Sequence, residues 1–457
     1  MLFILLCAFV GTAAAHEPLA LTGVTLIDGR GGPPQADMTV VVRDGRIAAI
    51  GPRHEVQLEP DLQRFALDGH HVLPGLIDAH VHFFQSGGIY TRPDILDLRH
   101  QRSYRDEQAA VRQRLNETLR RYTASGVTGV VDLGGPAWNV ELRETAAEAP
   151  DAPDLAVAGP LLTSRVPPEL LAADQQPMVE VGTAEEARQA VRAQVALDVD
   201  FLKLWLVAED ADAVRATDGW IRAAIDAAHE ADLRVVAHAT RLEVARAVVE
   251  AGADILAHGV DDQPVDEGFL NLLVQREVIY IPTLAVEQGY RRALSHTLTF
   301  DTMELRLGDP EVIEGLRLLP ALGAPRVDPA PGARREIMYE NLRRAHAAGV
   351  RLAAGSDAGN IGTLHGPALH REMRLMVAAG LPPEAVIQAA TAGGAAVLGR
   401  ADVGTLTVGQ RANLIILLCE RNPLESIDQT RQILRVMKDG RLFTPAQLIP
   451  SGQAATS

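Results

Sequence analysis

Eight strand-like runs in series, separated by helical patterns, confine the middle of this chain to one kind of architecture. The runs are Gly75–Phe83, Gly126–Leu133, Leu155–Leu161, Asp200–Leu206, Arg234–Ala239, Ala253–His258, Val278–Leu284 and Val350–Gly355. Ala-, Arg- and Glu-rich helical patterns such as Thr183–Leu197, Asp218–Ala231, Leu242–Ala251 and Ala333–Ala348 fall between them, several ending at Gly near a helix C′ position. Eight βα units in a row predict an α/β fold, a (β/α)8 TIM barrel over about residues 74–400. In such a barrel the chemistry sits at the C-terminal ends of the strands.

Short alternating runs bracket this region. Leu21 to Leu26, Met38 to Val42 and Arg46 to Ile50 lie on one side, and Ala412 to Leu418 and Ile433 to Lys438 on the other, punctuated by Asp-Gly and Gly-Gly turns. The economical expectation is one small β-sandwich domain built from both chain ends, 16–73 plus 401–447, with a tail at 448–457. Residues 286–333 read as irregular, with Gly308-Asp309-Pro310 and a Pro-rich stretch from Pro325 to Pro331. They follow strand seven and are expected to form either a lid over the site or a solvated insertion.

Of the 457 residues 47% are hydrophobic, enough for a large core, and the formal net charge is −16. That acidic balance argues against nucleic acid or an anionic membrane as partner. Residues 1–15 read as a secretory signal, with an apolar run from Leu2 to Val10 too short to span a bilayer and a small-residue cleavage site near Ala15. The expectation is a periplasmic or secreted protein with no membrane attachment after cleavage. Removal of the signal takes Cys7 with it and leaves only Cys419, so no internal disulfide is expected.

Metal-ligand residue types end or occupy the strand-like runs in a telling order: His80-x-His82, Lys203, His238, His258, Asp357. His80 and His82 are two apart on a strand and share a face, so two imidazoles can hold one metal. His238 and His258 end consecutive strands and suit a second metal. Lys203 stands among Phe201, Leu202, Leu204 and Trp205; burial lowers a lysine pKa, and a neutral amine can capture carbon dioxide. The carbamate so formed has two oxygens to bridge two cations. Asp357 would ligate the first metal and carry the catalytic proton. The expected cofactors are two divalent ions, zinc suiting the donor set best, with N6-carboxylated Lys203 between them.

At these residues the chain resembles the amidohydrolase superfamily in its binuclear, carbamylated-lysine form. The matching stretches are Leu26-Ile27-Asp28-Gly29, Leu73-Pro74-Gly75-Leu76-Ile77-Asp78-Ala79-His80-Val81-His82, Gly355-Ser356-Asp357-Ala358-Gly359 and Gly404-Thr405-Leu406 through Leu414. Asn413 stands where the family usually has Asp, in the β-domain, away from the chemistry. The chain is most similar to the imidazolonepropionase-like branch, which includes Xaa-Pro and other metallo-dipeptidases and ochratoxin-type amidases. The resemblance implies a homo-oligomer and hydrolysis of a small-molecule amide: a dipeptide, Xaa-Pro-like compound or N-acyl amino acid attacked by a metal-bridging hydroxide. Imidazolonepropionase itself is generally mononuclear and lacks the lysine, so Lys203 favours amide or peptide substrates.

A lactonase or esterase on the same site stays open, because the attacked group is a carbonyl either way. So does a mononuclear deaminase or cyclic-amide hydrolase, although the deaminase's helical His-x-x-Glu after strand five is missing. For a substrate carboxylate the candidates are Arg165, Arg241 and Tyr290, each near a predicted strand end or in the 286–333 segment, and His365 is a candidate for orienting substrate or supporting Asp357.

Overall fold

The computed structural model describes residues 17–171, 175–207, 211–322, 332–418 and 421–449, without the side chains of 211–218. The signal segment, Cys419 and most of the 448–457 tail lie outside the described residues. Among the described residues no helix is long and apolar enough to cross a membrane.

The eight barrel strands are β1 Leu76–Val81, β2 Val127–Asp132, β3 Asp154–Val157, β4 Phe201–Trp205, β5 Arg234–His238, β6 Ile255–Ala257, β7 Ile279–Ile281 and β8 Arg351–Leu352. All neighbours pair in parallel. A bridge between Ala158 and Phe201 joins β3 to β4, and Ala79 N–H donates to Ala354 C=O (2.9 Å), closing β8 onto β1. The third run is split: past Gly159-Pro160 the chain resumes as Leu161–Thr163, which pairs with β4 at Leu204 and carries Met178–Glu180 on its outer edge. Proline offers no N–H to a ladder, which is why the run breaks there.

Ile77, Phe201, Val236, Ile255 and Ile279 belong to one interior cluster that fills the barrel beneath the strand ends. Each such side chain contributes about 1.5–3 kcal/mol on burial. A second layer, including Leu76, Val81 and Tyr122, packs the outside of the barrel against its helices. Leu76 and Val81 differ in parity yet share that outer layer, because the register slips between Asp78 and Val81. A one-residue slip exchanges the two faces of a strand. Below the slip odd-numbered side chains point inward; above it His80 and His82 do.

The chain ends build one eight-stranded sheet in which His71–Pro74 is flanked by Leu19–Leu26 and Leu414–Leu417. Arg46, on the edge strand Arg46–Pro52, bridges to Arg411 just before Leu414–Leu417. The sandwich is therefore one sheet wrapped around a shared core of Leu21, Val40, Ile47, Leu414 and Met437.

Residues 286–322 correct an expectation: they are helical. Helices Leu284–Leu294, Thr302–Leu307 and Pro310–Arg317 follow one another, the second capped by Asp301 and the third by Asp309 with Pro310 in its first turn. Gly308-Asp309-Pro310 is thus a stop and a restart. Arg121 donates to the carbonyls of Leu307 and Gly308 (3.0 and 2.6 Å), Arg114 pairs with Asp309 (3.0 Å), Arg431 with Asp301 (2.6 Å) and Arg371 with Glu304. These contacts tie the segment to the barrel and, through Arg431, to the C-terminal part of the chain.

Candidate metal centre

His80 Nε2, His82 Nε2 and one Asp357 oxygen form a triangle, each pair 3.4 Å apart. Ligands about 2.1 Å from a tetrahedral ion stand ~3.4 Å from one another, so the three atoms are spaced as a metal needs them. All three residues are buried. The His258 ring lies 4.9 Å from that of His80 and 4.3 Å from that of His238, and His258 Nδ1 is 3.8 Å from the second Asp357 oxygen. The structure therefore brings His80, His82, His238, His258 and Asp357 to one place at the strand ends.

Lys203 reaches the same place from inside the barrel. It pairs with Val236, one layer below the Trp205–His238 pair. Its side chain is buried, and Nζ has no hydrogen-bond partner among the described residues. Desolvation lowers its pKa, which Asp357 opposes. The four imidazoles are likewise held below their ordinary range, by burial first, with the Lys203 charge contributing to each; His82 falls to about 3. Neutral imidazoles and a neutral amine are the forms that take a metal and carbon dioxide, and a buried unpaired amine is costly to leave as it is. His80, His82 and Asp357 fit one divalent ion, with His238, His258 and Lys203 beside them.

The backbone is strained where these ligands sit. His258 and Asp357 have positive φ (77° and 56°), as does Thr283 (46°), whose hydroxyl shares a 2.8 Å hydrogen bond with His258 Nδ1. Such conformations cost about 1–3 kcal/mol each and cluster at functional sites. Gly355 is required for close approach: a Cβ there would meet the His80 backbone N at 2.9 Å and Ile281 Cγ2 at 2.6 Å.

Buried polar groups orient the ligands. His82 donates Nδ1–H to the Gly134 carbonyl (2.7 Å), leaving Nε2 as the acceptor. Asp132, at the end of β2, holds that turn by accepting from Gly134 N–H (2.9 Å), Phe83 N–H (3.1 Å) and Asn139 Nδ2 (2.8 Å). Burial raises the Asp132 carboxyl to about 8, against the pull of those donors. Asn360 donates to Asp357 (2.9 Å) and accepts from Tyr290 (2.6 Å) and Arg92 (2.8 Å), and Arg92 is paired with Asp94. Asp132→Ala leaves three buried donors unpaired and frees the His82 ring. Metal affinity is expected to fall roughly 10–100-fold and stability by about 1–3 kcal/mol. Competition against a chelator of known affinity and thermal melts check this; unchanged affinity would remove Asp132 from the site.

A cavity of about 530 Å³ opens above these groups, lined among others by Trp205, Met178, Tyr290 and Asn360. Tyr290 lines it; Arg165, Arg241 and His365 are not part of its lining. Arg165 is exposed and outside the cavity lining. Arg241 is exposed and lines a neighbouring cleft that shares His238 and Thr240 with the cavity. His365 is buried behind β1, stacked on Phe83, with Nε2–H donating to the Gln85 carbonyl (2.7 Å) and Nδ1 accepting from Tyr122 (2.8 Å), so it has no nitrogen left for substrate. Sequence reasoning missed Asp132, Arg92 and Asn360. Asp132 was within reach of the same strand-end rule that found the histidines.

The model of the Amidohydrolase family matches residues 71–443. An imidazolonepropionase of Symbiobacterium thermophilum is 30% identical over 395 residues, covering 83% of each chain. Among solved structures, a putative prolidase from Bifidobacterium longum superposes with a TM-score of 0.69 at 27% identity, covering 94% of this chain and 95% of that one. A Xaa-Pro dipeptidase with bound methionine shares the fold, with a TM-score of 0.71 at 23% identity over 93% of this chain and 100% of that one. The triangle of ligand atoms, the barrel that positions it and the match over most of the length agree: the chain belongs to the amidohydrolase family, in its imidazolonepropionase-like branch.

Proposed function

We propose that this hydrolase of carbon–nitrogen bonds is binuclear and cleaves an amide in a dipeptide, a Xaa-Pro-like compound or an N-acyl amino acid. The observation that carries this reading is Lys203: a buried amine without a hydrogen-bond partner among the described residues, whose charge is felt by all four imidazoles and Asp357. Carboxylated, Lys203 would bridge two ions, His80, His82 and Asp357 on one side and His238 and His258 on the other. Divalent ions bound there, zinc by the donor set, polarise a carbonyl and acidify a water.

The chain supplies the rest. Burial raises the Asp357 pKa, and the Lys203 and Arg92 charges oppose that rise. Asn360 fixes one Asp357 oxygen and leaves the other to receive a proton and pass it to the leaving nitrogen. Trp205, Met178 and Leu161 exclude water from one wall of the cavity.

Chelator-stripped protein is expected to be inactive on a panel of dipeptides and N-acyl amino acids, and to recover with two equivalents of zinc per chain. Activity indifferent to metal removal would sink the reading. The likeness to an imidazolonepropionase favours a second substrate class, a cyclic amide, opened at the same site. A cyclic amide in the panel, cleaved with one ion per chain while the linear amides are not, would select it.

A further inference from the structure

Three guanidinium groups line the cavity, and they differ in what they have left to donate. Arg92 spends Nε and one terminal nitrogen on Asp94 (2.8 and 2.5 Å), and the other on Tyr290 (3.0 Å) and Asn360 (2.8 Å). Arg334 spends Nε and a terminal nitrogen on Asp261. The Arg291 side chain, on helix Leu284–Leu294, makes no hydrogen bond to any described residue. Its Nε is buried without a partner, and the nearest carboxylate, Glu287 one turn back, stands at 3.5 Å. The half-buried guanidinium thus keeps donors free for an acceptor inside the cavity, and its planar fork matches a carboxylate.

The opposite side of the cavity is apolar. Trp205 comes from β4, Leu161 from the extension of β3 and Met178 from the strand paired with that extension, across the barrel from the β7 side that carries Arg291. The metal-ligand residues form the floor between them. An amide with its carbonyl over that floor presents one arm to Arg291 and the other to the apolar wall.

We propose that Arg291 is the specificity-determining residue that reads a carboxylate on the leaving-amine arm, and that the favoured substrates are N-acyl amino acids with an apolar acyl group. This rests on the amide-hydrolase reading above. The assignment separates N-acyl amino acids from their amides, in which the carboxylate is replaced by an uncharged carboxamide of the same shape.

The test measures kcat and KM of zinc-loaded enzyme on N-benzoyl-leucine and N-benzoyl-leucinamide. Wild type is expected to prefer the acid, and Arg291→Gln to lose that preference by roughly 10–100-fold, chiefly through KM. Arg291→Lys is expected to restore part of it. Equal loss on both substrates, or no preference in wild type, overturns the proposal. Should wild type cleave neither compound nor any amide of the panel above, the amide reading falls, and calorimetric binding of N-benzoyl-leucine decides the Arg291 assignment separately. Binding weakened in Arg291→Gln keeps Arg291 as a carboxylate reader, and equal binding in both proteins removes it.

Discussion

Lys203→Met is expected to raise the melting temperature of the metal-free protein and to abolish amide hydrolysis. The two effects have one cause. Lys203 Nζ is buried with no hydrogen-bond partner among the described residues, in a ring of imidazoles and Asp357 that it perturbs electrostatically. Methionine has nearly the same length and no charge to desolvate. Replacing a buried amine that has no hydrogen-bond partner by apolar volume stabilises by about 1–3 kcal/mol, which a thermal melt of apo protein resolves. The same change removes the group that would bridge the two ions. Losing that contribution costs several kcal/mol of transition-state stabilisation, on the order of a 10³-fold drop in kcat. Elemental analysis is expected to show fewer than two ions per chain. A Lys203→Met protein that keeps two ions and wild-type kcat would show the lysine to be packing alone.

Asp357→Asn is expected to lower kcat by about 10²–10⁴-fold with little change in KM, the range for removing a positioned acid–base group. Asparagine keeps the side-chain shape and tolerates the positive φ of 56° at this position better than most residues, so the fold is preserved. What it loses is the ability to take a proton. Metal affinity at the His80–His82 side falls as well, because a neutral amide oxygen is a weaker ligand than a carboxylate. Elemental analysis at saturating zinc separates the effects. A mutant with two ions bound and unimpaired kcat would remove Asp357 from the proton path.

Substrate-side residues were the least legible part of the sequence. Arg165, Arg241 and Arg291 look alike along the chain. They are distinguished by exposure and by place: Arg165 and Arg241 are exposed, whereas Arg291 is half-buried, lines the cavity and keeps a buried Nε without a hydrogen bond. His365 follows the Asp357 segment and reads as a site histidine, yet Tyr122 and the Gln85 carbonyl take both its nitrogens. The contacts that settle each case span 243 and 280 residues of sequence.

The sequence by itself determined the order of eight strands and the residue types at their ends, because period-2 and period-3.6 patterns are local. It also determined that Lys203 shares a face with Phe201 and Trp205, and His238 with Val236, since alternation holds unbroken along β4 and β5. Only the tertiary structure decided the rest of the centre. Alternation alone would send His80 and His82 outward with Leu76; the register slip against β2 turns them in. His258 follows Ala257, an interior residue, and reaches the centre through its positive φ of 77°. Alternation specifies which residues share a face, but a slip or a left-handed residue exchanges the faces, and the neighbouring strand selects it.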